Sequence, residues 1–347
     1  MNPTEMFPAL EATALSVARR WLTLESTSIG AITIDHADIR TITDHRMTTL
    51  AIKLIEDGQV EASDSVVDTL HDRALVAAQR AVALESLCAA VVEALAAAGV
   101  ESRVLKGIAV AQLDYAQSSQ RLTSDVDLLV RSADFRVALD LIRSHGFHRH
   151  FDEPFDGFDS TIGKGAALEG PGQHVVDLHR SLALGYYGTR LPVDALWSDP
   201  ISFPLAGIQA SALPVAARFA HAALHLGLAP SPRAMHFLDL PVIVAADDDT
   251  LQEQIITVAT QWRCGDVIAR AVLAANQIFP SWHPDRLLHW AASRHTTPTE
   301  QLWWSTYHGR FATTASRSAA AIAGIRPRRV QPAAAVRLLA SRARLRR

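Results

Sequence analysis

The sequence is poor in cysteine and almost without lysine. Its two cysteines, Cys88 and Cys264, stand 176 positions apart in apolar helical contexts, which excludes a disulfide framework and a CxxC zinc module. A reducing, cytoplasmic setting is the expectation. Lysine occurs three times, as Lys53, Lys106 and Lys164, against thirty arginines, a bias that fits a GC-rich genome and makes each retained lysine worth inspection. No window approaches ~18 uncharged apolar residues, and the opening MNPTEMFPALEA is acidic where a secretory signal is basic. The chain is therefore expected neither to span nor to cross a membrane.

What is present is enough for one large domain or two ordinary ones: 347 residues, 49% of them apolar and 20% charged. The formal charge of −3 averages two unlike parts, because residues 301–347 hold ten arginines and no carboxylate, leaving −13 for the first 300.

Apolar residues recur at helical spacing from Thr13 to Gly99, and Gly99 suits the position just past a helix end. From there the period shortens to that of strands. Strand, helix, strand and helix are expected at Arg103–Leu105, Ile108–Tyr115, Val126–Val130 and Ala133–His145. Extended pieces follow at Phe147–Phe151, Thr161–Leu168 and Gln173–Leu178, the last two joined by a Glu169-Gly170-Pro171-Gly172 turn. After Tyr187 the pattern is helical again. The fold class is α+β, a small mixed sheet flanked by helical regions. The expected divisions are an N-terminal helical region (1–100), an α/β core (101–185), a C-terminal helical domain (186–310) and a basic tail (311–347).

The strongest chemical signal is VLKGIAVAQLDYAQSSQRLTSDVDLLV, residues 104–130. Asp125 and Asp127 are two apart on a strand, so both side chains leave one face. Carboxylates this close repel unless a cation lies between them, and hard oxygen ligands suit Mg²⁺ with substrate phosphates. On its own the D-x-D spacing also fits a solvated strand edge. Upstream, Lys106-Gly107 ends a strand and opens a helix, a place where glycine admits a phosphate, helix amides face it and lysine adds charge. A third carboxylate, Asp177, lies on the strand VVDLH.

These residues resemble the nucleotidyltransferases of the DNA polymerase β superfamily and, more narrowly, the bacterial family of uncharacterised nucleotidyltransferases that reads LKG, R, DxDLLV, DLH: here Leu105-Lys106-Gly107, Arg121, Asp125 to Val130, and Asp177-Leu178-His179. The resemblance covers about residues 100–180, and departs from the superfamily at Lys106-Gly107, where Gly-Ser is usual. It implies a sheet of polymerase β type. It further implies Asp125, Asp127 and Asp177 as catalytic carboxylates and ligands to two Mg²⁺ ions, with Mn²⁺ as a substitute, and Lys106, Gly107 and Arg121 as nucleotide-binding groups. By the same resemblance the expected donor is an NTP, ATP first, and the expected acceptor an unidentified hydroxyl or phosphate, in keeping with natural-product or peptide tailoring. Arg121 is equally readable as a salt bridge, Lys106 as an exposed turn residue, and His179 as a plain strand histidine or a donor to Asp177.

Other features read both ways. His221 and His225 are spaced to grip zinc with His236 and Asp239, yet without a HExxH glutamate they fit a buried structural pair better. Tyr186, Tyr187, Trp303 and Trp304 fit a stacking platform or ordinary core. The arginine-rich tail invites nucleic-acid contact or is simply solvated. Two rivals to a small-molecule transferase follow: a toxin-like tRNA nucleotidyltransferase, resting on the tail, and a catalytically inactive binding or scaffold protein, resting on the Lys106-Gly107 departure.

Overall fold

The structure is a computed structural model describing residues 12–22, 32–153, 157–161, 163–229 and 231–308. The basic tail, and with it the nucleic-acid reading, lies outside the described residues.

The chain opens with α1 (Ala12–Leu22), β1 (Ile32–Ile34), α2 (Asp38–Asp44), α3 (Thr48–Glu56), β2 (Val60–Ala62) and the long α4 (Asp64–Ala97). The central part contributes β3 (Ser102–Val104), α5 (Lys106–Leu113), β4 (Val126–Val130), α6 (Phe135–Ser144), β5 (His148–Arg149), α7 (Phe158–Thr161), β6 (Gly165–Glu169), β7 (Val175–His179) and α8 (Gly185–Gly188). The hairpin β8 (Ile201–Leu205) and β9 (Ile208–Ala212) precedes α9 (Val215–Leu228), α10 (Ala234–Ile243), α11 (Asp249–Gln261), α12 (Gly265–Ile278), α13 (Asp285–Ser293) and α14 (Pro298–Tyr307).

Seven strands form one mixed sheet in the order β5-β6-β7-β4-β3-β9-β8, mostly antiparallel, with β4 parallel to β7 and β3 parallel to β9. Central β4 is buried along its whole length. Val126, Leu128 and Val130 pack with α4 and α6, whereas Leu129 joins the core built on the C-terminal helices. The pleat thus leaves Asp127 on the second face, toward α5 and α9. Two of these strands, β8 and β9, fall inside the stretch read as helical from residue 186. Their signal is an Ala206-Gly207 turn with φ of 45° and 91°, the two-residue positive-φ geometry that closes a hairpin.

α4 is long and apolar enough to cross a bilayer by length and composition, which the expectation of no such segment did not include. Its ends are instead seated in protein: Val66 and Leu70 in the helical core, Leu84, Cys88, Val91 and Leu95 against the sheet. It ends as expected, at Gly99 with φ 74°.

Gly165 pairs with His179 across β6 and β7, and a Cβ there would stand 1.9 Å from the Leu178 carbonyl oxygen. Gly165→Ala should therefore force the two backbones apart and cost about 1–3 kcal/mol; thermal melting checks it, and an unchanged melting temperature would refute it.

Candidate functional site

The site begins with strand register. β4 and β7 run parallel with Asp127 directly opposite Asp177, so both side chains leave the same face. His179, two residues on and fully buried, meets both: its Nε2 lies 2.8 Å from Asp127 Oδ1 and 3.0 Å from Asp177 Oδ2. Two lysines complete the cluster. Lys106 Nζ donates to Asp127 Oδ1 at 2.5 Å and Lys164 Nζ to Asp177 Oδ2 at 2.8 Å, so two of the three lysines of the chain sit on these two carboxylates. Lysine scarcity was the signal that could have singled out Lys164.

Burial alone would push both carboxyls up. For Asp127 the Lys106 charge and the His179 bond outweigh it, for Asp177 the His179 and Lys164 charges do, and both are held well below the usual carboxylate range. Lys106 is likewise pulled down by burial but raised overall by Asp127 and Asp177.

The ligand atoms of Asp127, Asp177 and His179 all lie within 4.8 Å of one another, a span one ion can bridge, and two oxygens with an imidazole nitrogen suit a divalent cation. Asp125 is not in this group. It lies in the same cavity, accepts a hydrogen bond from Ser124 Oγ at 3.1 Å, and is raised by burial and by the Asp127 charge.

That cavity has a volume of about 310 Å³ and lies between the sheet, α5, α9 and α10. Gly107 lines it, though a Cβ at Gly107 would meet Thr123 Oγ1 at 2.3 Å, so packing already requires the glycine. Arg121, expected at the nucleotide, makes a bidentate pair with Asp239 of α10 at 2.7 and 3.0 Å, and Asp239 Oδ1 also accepts from Tyr115 Oη. The Nη1 of Arg121, on the cavity wall, has no hydrogen-bond partner among the described residues.

His221, His225 and His236 line the opposite wall. The His225 and His236 rings meet edge to face at 4.8 Å, and among the described residues the only three-ligand group is the one at Asp127. All three are held well below the usual histidine value by burial first and neighbouring cations second. Below pH ~6.5 the unfolded chain binds protons that the folded one refuses. Stability should then fall with pH by up to about 1.4 kcal/mol per unit for each histidine. Melting curves from pH 7.5 to 5.5 test this, and His236→Asn should flatten the slope. Residues that sequence reasoning missed include Arg46, Arg218 and Arg233, which also face the cavity. Each comes from a helical stretch whose pattern announces only packing.

Tyr186 stacks on Trp303 at 4.9 Å and Tyr187 Oη donates to Asp266 at 2.8 Å, so these aromatics belong to the helical core.

The model of the family described as "Uncharacterised nucleotidyltransferase" matches residues 36–280, most of the chain and every site residue above. The chain belongs to this family. No curated protein matches it. Among solved structures, that of an antigenic nucleotidyltransferase-like protein from Paracoccidioides brasiliensis aligns over 55% of this chain and 92% of its own, at 14% identity and a TM-score of 0.33. The match to the nucleotidyltransferase family takes in the N-terminal helices from residue 36, including Arg46, and the C-terminal helices through α12. The motifs that carry the resemblance in sequence lie within about residues 100–180.

Proposed function

We propose that this nucleotidyltransferase moves a nucleoside monophosphate from an NTP, ATP first, to a hydroxyl or phosphate on an acceptor, with release of pyrophosphate. The observation that carries the reading is the in-register pair Asp127 and Asp177, joined by His179, with Asp127 and Lys106 lining a cation-rich cavity at the start of α5. Asp127 and Asp177 would hold divalent metal with Asp125 beside them, Mg²⁺ as two ions or Mn²⁺ in their place. Metal held there would supply positive charge to the attacking and leaving oxygens.

The chain supplies the rest. Lys106 gives Asp127 a cationic partner and brings that charge to the turn where phosphate oxygens would enter. Both carboxylates stay ionised at neutral pH, so Asp177 carries charge for binding and is a weak proton acceptor. His179 fixes the two carboxylates relative to one another. A natural-product or peptide tailoring role is the reading that the family resemblance supports for the acceptor.

Incubating a cell extract with enzyme, Mg²⁺ and isotopically labelled NTP should give an adduct whose mass identifies nucleotide and acceptor together. One observation favours a binding protein without turnover, the ammonium of Lys106 seated on Asp127. Calorimetry with Mg²⁺ and each of the four common NTPs separates the two: absence of binding to all of them sinks the transferase reading.

A further inference from the structure

Arg46 stands where a glycine is conformationally easiest. α2 ends in a Schellman motif, with Met47 N bonded to Ile42 O at 2.8 Å and Arg46 N to Thr43 O at 3.0 Å. The residue in the left-handed position, φ 63°, is Arg46. An arginine held in a conformation that disfavours every side chain points to a use for the side chain. Of the six non-glycine residues with positive φ among the described residues, two line the cavity, and both are cations: Arg46 and Lys106.

The tertiary structure brings a second arginine to the same place. His45 Nδ1 accepts a hydrogen bond from Ala234 N at 2.9 Å, which fastens the end of α2 to the start of α10 and sets Arg233 beside Arg46. Arg46 Nη2 donates to Ser124 Oγ at 2.6 Å. Neither Arg46 nor Arg233 forms an ion pair with a carboxylate among the described residues, whereas the other cavity cations do: Lys106 with Asp127, Arg121 with Asp239, Arg218 with Asp114. Burial first, then the charges of Arg233 and Arg121, pull Arg46 down to about 10. Mutual repulsion of this kind is relieved by an anion placed between the guanidinium groups. Two further polar atoms on the wall await a partner: the buried Nη1 of Arg121 and the buried Nε2 of His221.

We propose that Arg46 and Arg233, with Arg121 Nη1, form an oxyanion subsite for a phosphate group, distinct from the carboxylate pair and able to bind without divalent metal. The identity of the phosphate, a donor polyphosphate tail or a phosphate on the acceptor, rests on the transferase reading. The subsite itself does not.

The probe is inorganic tripolyphosphate, titrated into the full-length protein by calorimetry in EDTA. Binding should be salt-sensitive and should weaken at least about tenfold in both Arg46→Gln and Arg233→Gln. Arg46→Gly separates binding from folding: it should lose the same affinity and melt at or above the wild-type temperature, since glycine suits the left-handed position. ATP and AMP then assign the source. Loss of ATP affinity with AMP unaffected places the donor tail here; unchanged ATP affinity with weakened inorganic phosphate binding beside a non-hydrolysable ATP analogue places the acceptor phosphate here. Wild-type tripolyphosphate affinity in both glutamine variants, or no binding by the wild type, overturns the subsite, as does Arg46→Gly melting lower and binding normally. Arginine-dependent tripolyphosphate binding without any NTP turnover would instead overturn the transferase reading and leave the subsite standing.

Discussion

Asp127→Asn is expected to reduce nucleotidyl transfer by on the order of 10³-fold or more, the rate equivalent of the several kcal/mol that metal-bound charge supplies. The same substitution disturbs the fold's electrostatics, because Asp127 is 4% exposed and is the shared partner of Lys106 and His179. A lower melting temperature should accompany the lost activity, since Lys106 and His179 would face a neutral amide in a buried setting. Circular dichroism at the assay temperature shows whether the variant is folded when assayed. Asp177→Asn is the milder partner, with Lys164 more than a third exposed and able to regain water; it should lose activity with a smaller drop in melting temperature. A folded Asp127→Asn enzyme that turns over at the wild-type rate would remove the chemical basis of the site.

The largest stability effect is expected at Asp239. Its carboxylate is the bidentate partner of Arg121, each side chain 5% exposed, and the acceptor for Tyr115 Oη. Burial pulls the Arg121 guanidinium down and Asp239 raises it above its ordinary value, so the cation is fixed in place by this one carboxylate. Asp239→Ala should cost about 3–5 kcal/mol and lower the melting temperature by roughly 5–10 °C. The double variant Arg121→Met with Asp239→Leu should recover most of that loss, because removing both charges ends the desolvation cost that removing one exposes. Nucleotide affinity in the double variant decides the role of Arg121: retained affinity makes it a strut between the α5–β4 connection and α10, and lost affinity makes its Nη1 a phosphate contact.

Much of the site could be read without coordinates because it is local. D-x-D on a strand puts two carboxylates on one face by pleat alone. Lys106-Gly107 lies just past the end of β3, and β4 spans Val126–Val130 as expected, since four of its five residues are apolar and turn signals bound them. The outlying hairpin of β8 and β9 does alternate, with Phe203 and Leu205 and then Ala210 and Ala212 buried, but its two five-residue strands lie within a long stretch dominated by helical spacing. Arg121 illustrates the limit of local reading: it was readable as a nucleotide-binding group or as a salt bridge, and packing supplied a carboxylate partner 118 residues away.

The sequence by itself determined the central strand and the helical flanks, because periodicity and residue type are properties of short stretches, and it carried the motifs on which the resemblance to the nucleotidyltransferases rests. Only the tertiary structure decided that Asp177 stands opposite Asp127 and that His179 joins them. It also decided that Lys106 and Lys164 neutralise the pair, and that Arg46 and Arg233, 187 positions apart in the chain, line one cavity. Those contacts depend on strand order and helix packing, which are set by burial of the whole core and leave no mark in the spacing of the residues they bring together.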